Sequence, residues 1–209
     1  MLLSDVYNTA IQECNKASTL VTDTNEFFGN HVVSNGTTYS PELHACTLDG
    51  AFLTLFMALE YFLESSFICY MMGQPGLNGN TLLKFVSPAS EENAHNILKG
   101  TNRFTDFTNR DIIIKLAGNF FVGGGPYVYL NSISADFEEM KKIRNAISHI
   151  SPESDRAFKG LVRVKLGSLP PNISTSAFLN TIMPGATTTF FVHYRDIVVS
   201  AINNISNPT

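Results

Sequence analysis

Residues 137–150 read FEEMKKIRNAISHI, and the reading of this stretch decides the fold. Phe137, Met140, Ile143, Ile147 and Ile150 recur at steps of three and four, which predicts an amphipathic helix with that stripe turned to a core. Ser134 offers a capping oxygen, and Asp136, Glu138 and Glu139 put negative charge in the first turns. Ser151-Pro152 then forces the chain out of the helix just past His149. On a wheel of about 100° per residue, Asn145 and His149 fall one turn apart on the polar face, with Glu138 and Lys141 nearby. Arg144 falls at the edge of the apolar stripe, where its stem can be buried while its guanidinium needs an acceptor. An imidazole at the carbonyl end of a helix is expected to favour its protonated form. Arg144, Asn145 and His149 therefore form a small cationic, hydrogen-bonding site.

Outward from this helix the chain reads as helical almost throughout. Val6, Ala10, Ile11, Cys14, Ala17, Leu20 and Val21 predict a helix over about 5–28, followed by a loop through Asn35-Gly36 to Ser40. Ser40-Pro41-Glu42 carries the cap, the N1 proline and the acidic first turn of a long helix that ends before Gly73-Gln74-Pro75-Gly76. Residues 51–72 are apolar enough to span a bilayer, but Glu60 and Glu64 lie near the middle, one turn apart, as a polar seam in a helical bundle would. Either is expected to accept from Arg144 across a helix–helix contact, supporting the site or simply fixing register. Shorter helices are expected over 87–99, with Ser87 or Ser90 as cap, and over 109–121. Gly123-Gly124-Gly125-Pro126 marks a break, and 127–133 is expected to be extended. Ser151-Pro152-Glu153 opens a helix that Gly167 ends, and a last helix is expected over 187–205, with His193 as a core or interface residue.

The run Arg144-Asn145-Ala146-Ile147-Ser148-His149 resembles the R-x4-6-H signature of the HEPN superfamily, in its form of an Arg-Asn doublet with a His near a helix end. The upstream apolar helix with its carboxylates fits the same layout over about 40–165. After the His this chain continues Ile150-Ser151-Pro152, where some branches place a Tyr or another polar residue. The resemblance implies an all-α, HEPN-like bundle forming a single domain over 1–209. It also implies a metal-independent endoribonuclease that cuts single-stranded RNA and leaves a 2',3'-cyclic phosphate. Arg144, Asn145 and His149 would be its catalytic residues, in a symmetric homodimer. The family role is commonly that of a toxin or antiphage effector, with an antitoxin or other regulatory protein as partner.

The chemistry agrees with that set. RNA cleavage without a metal needs a base for the 2'-hydroxyl, an acid for the leaving 5'-oxygen and a cation on the phosphorane. Imidazole suits the proton transfers, guanidinium suits the phosphate, and Asn145 can orient either. One His per chain is short for two transfers, which points to a second chain across a two-fold axis.

Composition sets the bounds. The 209 residues suffice for one full core; 44% are hydrophobic, and 15% charged is a low share. The net charge of -4 argues against a broadly basic surface, yet residues 141–165 carry seven of the 14 Lys and Arg against Glu153 and Asp155, a local +5 against -9 elsewhere. Lys141, Lys142, Arg156, Lys159 and Arg163 are the candidate RNA-binding residues, with a solvated helix face as the plainer alternative. Three cysteines without C-x-x-C spacing indicate neither disulfides nor a metal, and no cofactor motif is present. MLLSDVYNTA meets Asp5 before any useful apolar run, so a cytoplasmic protein with no membrane partner is expected, and the sequons at Asn35, Asn172 and Asn204 are expected to be incidental. Two other functions fit: a non-catalytic HEPN-like binding or dimerisation module, or an unrelated helical regulator in which Arg144 and His149 are structural.

Overall fold

The computed structural model describes residues 1–30, 41–100 and 105–209. His31, Asn35 and the Ser40 cap lie outside the described residues. Among those described, the chain is all-α: eight α-helices and one 3₁₀ segment, with two isolated bridges and no sheet. The helices are α1 Leu3–Asn30, α2 Pro41–Met71, α3 Glu91–Lys99, α4 Arg110–Phe120, α5 Ser134–Ser148, α6 Pro152–Leu166, α7 Thr175–Leu179 and α8 Phe190–Ser206.

Local chemistry explains the ends. Ser90, not Ser87, caps α3 by accepting from Asn93 N, and Asn109 caps α4 by accepting from Asp111 N and Ile112 N. Ser151 caps α6 over Pro152 at the first helical position, and Gly167 closes it in the left-handed conformation. The extended reading of 127–133 is corrected: Val122–Asn131 is the 3₁₀ segment, entered through Gly123, Gly124 and Gly125, all at positive φ. A Cβ at Gly124 would meet Val128 Cγ1 at 3.0 Å, and one at Gly125 would meet Leu82 and Phe121 at 3.3 Å, so glycine is needed there for space as well as for backbone conformation.

Contacts divide the chain into two compact units. The first comprises Met1–Gln12, Met57–Phe137 and Val198–Thr209. Its core is aromatic: the Phe67 ring lies 4.8 Å from that of Tyr127 and 4.9 Å from that of Phe121. The Tyr127 and Ser66 hydroxyls lie 2.9 Å apart and Tyr70 OH donates to Ile205 O at 2.6 Å, whereas the buried Ser206 Oγ has no hydrogen-bond partner among the described residues. Lys84 Nζ caps the end of α2 by donating to Met71 O at 2.5 Å.

The second unit comprises Glu13–Phe56 and Glu138–Ile197. Phe178 stacks on Phe190 at 4.2 Å and meets Phe158 edge-on at 5.8 Å, so the short α7, which sequence periodicity misses, is held by aromatic packing. Glu139 is a structural acid: Oε1 lies 2.8 Å from Lys165 Nζ, and Oε2 accepts from Tyr194 OH at 3.0 Å.

α2 is long and apolar enough to cross a membrane, and 67% of its most apolar window is buried inside the protein. A core helix accounts for that composition.

Candidate functional site

α5 carries the stripe expected of it up to a point. Phe137, Met140 and Ile143 are fully buried. Ile147 is half-buried and Ile150 stands 109% exposed, which corrects its place in the stripe. The helix ends at Ser148, and the chain turns before Ile150 can reach the core.

The turn itself is tightly bonded. His149 O accepts from Ser151 N at 3.0 Å and from Ser154 Oγ at 2.9 Å, and Ser151 Oγ accepts from Ser154 N at 3.1 Å. The carbonyl just past the end of α5 and a first-turn amide of α6 are thus both satisfied by the same two serines, one of them buried. His149 N also donates to Asn145 O at 2.9 Å, so the backbone of the histidine is fixed on both sides while its ring is exposed.

Lys142, Asn145, Ser148, His149, Glu153 and Ala157 line an open groove of about 860 Å³. A second groove of about 610 Å³ shares the His149–Ile150–Ser151 turn and is lined in part by Ala146, Pro152, Phe158 and Ile173. His149 is common to both.

Arg144 is half-buried, and its Nη1 donates to Asn145 Oδ1 at 3.1 Å. The acceptor required by the guanidinium is therefore its own neighbour in sequence. Because the guanidinium can only donate, the bond fixes which end of the Asn145 amide is oxygen and leaves Nδ2 as the outward donor. The structure brings Lys142, Asn145 and His149 into one groove, with Arg144 reaching it through Asn145. It adds Glu153 and Ser154, which sequence reading passed over; the Ser151-x-x-Ser154 spacing at a helix start was the only signal available.

The remaining candidates are dispersed. Glu64 faces His95, with Nδ1 3.7 Å from Oε1, and both side chains are about half exposed. Glu60 is half-buried on α2. On α6, Arg156 and Arg163 are exposed, while Lys159 is paired with Asp155 at 2.8 Å. Lys141 is half-buried and Lys142 exposed. His193 is half-buried with its ring 5.2 Å from that of Tyr194, and His44 sits 2.9 Å from Asn25 Oδ1. Among the described residues no group of three or more His, Cys, Asp or Glu is placed to hold a metal ion.

No family model matches the chain, and no curated protein or solved structure is similar to it.

Proposed function

We propose that the protein is a metal-independent endoribonuclease of the HEPN type acting on single-stranded RNA, in the cytoplasmic setting of a toxin or antiphage effector with a regulatory partner. The observation that carries this reading is the groove in which an exposed imidazole, an amide and a lysine meet at the end of α5. Lys142 attracts the phosphodiester into the groove, and Asn145 Nδ2, its orientation set by Arg144, donates to a non-bridging phosphate oxygen. Arg144 adds positive charge behind that amide as the phosphorane forms. His149 moves one of the two protons. The second proton requires a second group, supplied either by another His149 across a symmetric homodimer or by a further side chain of the same groove.

The test is incubation of purified wild type and His149→Ala with mixed single-stranded RNA in EDTA, followed by analysis of the new ends. Wild type is expected to leave 2',3'-cyclic phosphates and His149→Ala to leave the RNA intact. Equal cutting by both proteins would remove His149 from the chemistry.

A second reading, a non-catalytic HEPN-like binding or dimerisation module, is favoured by Ile150, an apolar side chain standing wholly in solvent at the edge of both grooves. RNA that is bound and left uncut by the pure protein would select it.

A further inference from the structure

Cleavage by transesterification needs two proton-transfer groups at one phosphate, and the groove of a single chain already holds two. We infer that Glu153 is the partner of His149, so that one chain carries a complete acid–base pair; this rests on the nuclease reading above.

The argument begins with the turn. Glu153 is the second residue of α6, fixed there by the Ser151 cap and by Pro152. The bonds of Ser151 and Ser154 to His149 O tie the start of α6 to the end of α5. The carboxylate and the imidazole therefore line one groove whose two flanking helix ends are tied together, with Lys142 and Asn145 in the same lining. Structural carboxylates in this protein look different: Glu139 is engaged by Lys165 and Tyr194, and Asp155 by Lys159. Glu153 has no such partner among the bonds that fix the turn, and its side chain is exposed.

The chemistry closes. The Glu153 carboxylate takes the proton of the 2'-hydroxyl as the 2'-oxygen bonds to phosphorus. The bond from phosphorus to the 5'-oxygen breaks, and a ring N–H of protonated His149 supplies the proton that makes the 5'-hydroxyl. The products are a 2',3'-cyclic phosphate and a free 5'-hydroxyl; Glu153 ends protonated and His149 neutral, and exchange with water resets both. No oxidant, reductant or metal enters the balance. The titratable groups around Glu153 are Lys142 on α5, His149 just past its end, and its neighbours Asp155 and Arg156 on α6.

A carboxylate in the first turn of a helix also has a purely structural use, since it complements the helix dipole. The experiment separates the two roles. Wild type, Glu153→Gln, Glu153→Asp and His149→Ala are assayed in EDTA on one single-stranded RNA across pH, with melting temperatures measured in parallel. The expected result for Glu153→Gln is a fall in kcat of about 100-fold or more, with KM changed less than about threefold and the acidic limb of the pH profile lost. Glu153→Asp should recover part of the rate, and an equimolar mixture of Glu153→Gln with His149→Ala should stay inactive because each active groove needs both groups from one chain. Cleavage by Glu153→Gln at the wild-type rate with an unchanged pH profile overturns the assignment while leaving the nuclease reading intact. Recovery of activity in the mixture overturns the single-chain site in favour of one shared between copies. No cleavage by wild type removes the nuclease reading, and this one with it.

Discussion

The hydroxyl of Ser154 donates to the carbonyl oxygen of His149 at 2.9 Å, joining the last turn of one helix to the first turn of the next. Removing it leaves His149 O with its bond from Ser151 N, so the acceptor is weakened but not orphaned. Ser154→Ala should therefore cost about 1 kcal/mol, near the middle of what one buried hydrogen bond contributes. It should also speed amide exchange at Ser151 and lower RNA cleavage more than stability, because the exposed ring sits on that turn. Urea unfolding and hydrogen exchange decide it, and wild-type exchange at Ser151 would show that the turn holds without the hydroxyl.

Glu139 holds Lys165 and Tyr194 at once, and its side chain is only 14% exposed. Glu139→Ala abandons both partners, and a loss of about 2 kcal/mol is expected, below the full cost of breaking a buried pair because Lys165 is partly hydrated. Glu139→Gln keeps an acceptor for the tyrosine and should lose roughly half as much. Equal urea midpoints for wild type and Glu139→Ala would mean that these contacts are incidental.

The two ends of the α5 stripe should respond very differently to truncation. Ile143 is fully buried, so Ile143→Ala is expected to cost about 2–4 kcal/mol. Ile150 stands in solvent, and Ile150→Ser should fall within about 0.5 kcal/mol of wild type. A large loss from Ile150→Ser would show that this side chain is covered in solution.

Alkaline pH should unfold the protein. Burial pushes the Cys69 thiol from its ordinary 9.0 up to about 11 and that of Cys14 up to about 12. Burial also holds the Tyr70 and Tyr127 phenols above their ordinary 10.0. In each case the folded state binds the proton more tightly, so this stability is fully present below pH 9 and is lost as pH rises through the folded values. The urea midpoint should fall steadily between pH 9 and 11. At mild pH the exposed Cys46 should react with a thiol reagent at once, while Cys14 and Cys69 react only on unfolding. A flat midpoint over that range, or three equally fast thiols, would contradict the burial described.

The helices were legible wherever periodicity and caps agreed, as at α5 and at Ser151-Pro152-Glu153. Ile150 keeps helical spacing in the sequence after the turn has ended the helix in space. The 3₁₀ segment was hidden because β-favouring residues such as Tyr127 and Val128 follow three glycines whose positive φ values no periodicity reveals. The reach from Arg144 to Asn145 is not legible in the sequence, because neighbours in sequence usually point apart on a helix. The pairing of Glu64 with His95 depends on where α3 folds back, which spacing cannot supply. In the sequence Glu153 reads only as a helix-start residue, since its share in the groove with His149 depends on the angle between α5 and α6.

Glycines set opposite tolerances to mutation along this chain. At Gly124 and Gly125 every replacement meets both a wrong dihedral and an occupied space, so a saturation scan should return almost no survivors there. Gly50, Gly118 and Gly160 are helical with nothing within 4 Å of an added methyl, and alanine at each should raise stability by about 0.5–1 kcal/mol. Thermal hardening of the protein therefore begins at those three helical positions and leaves the glycine corner alone.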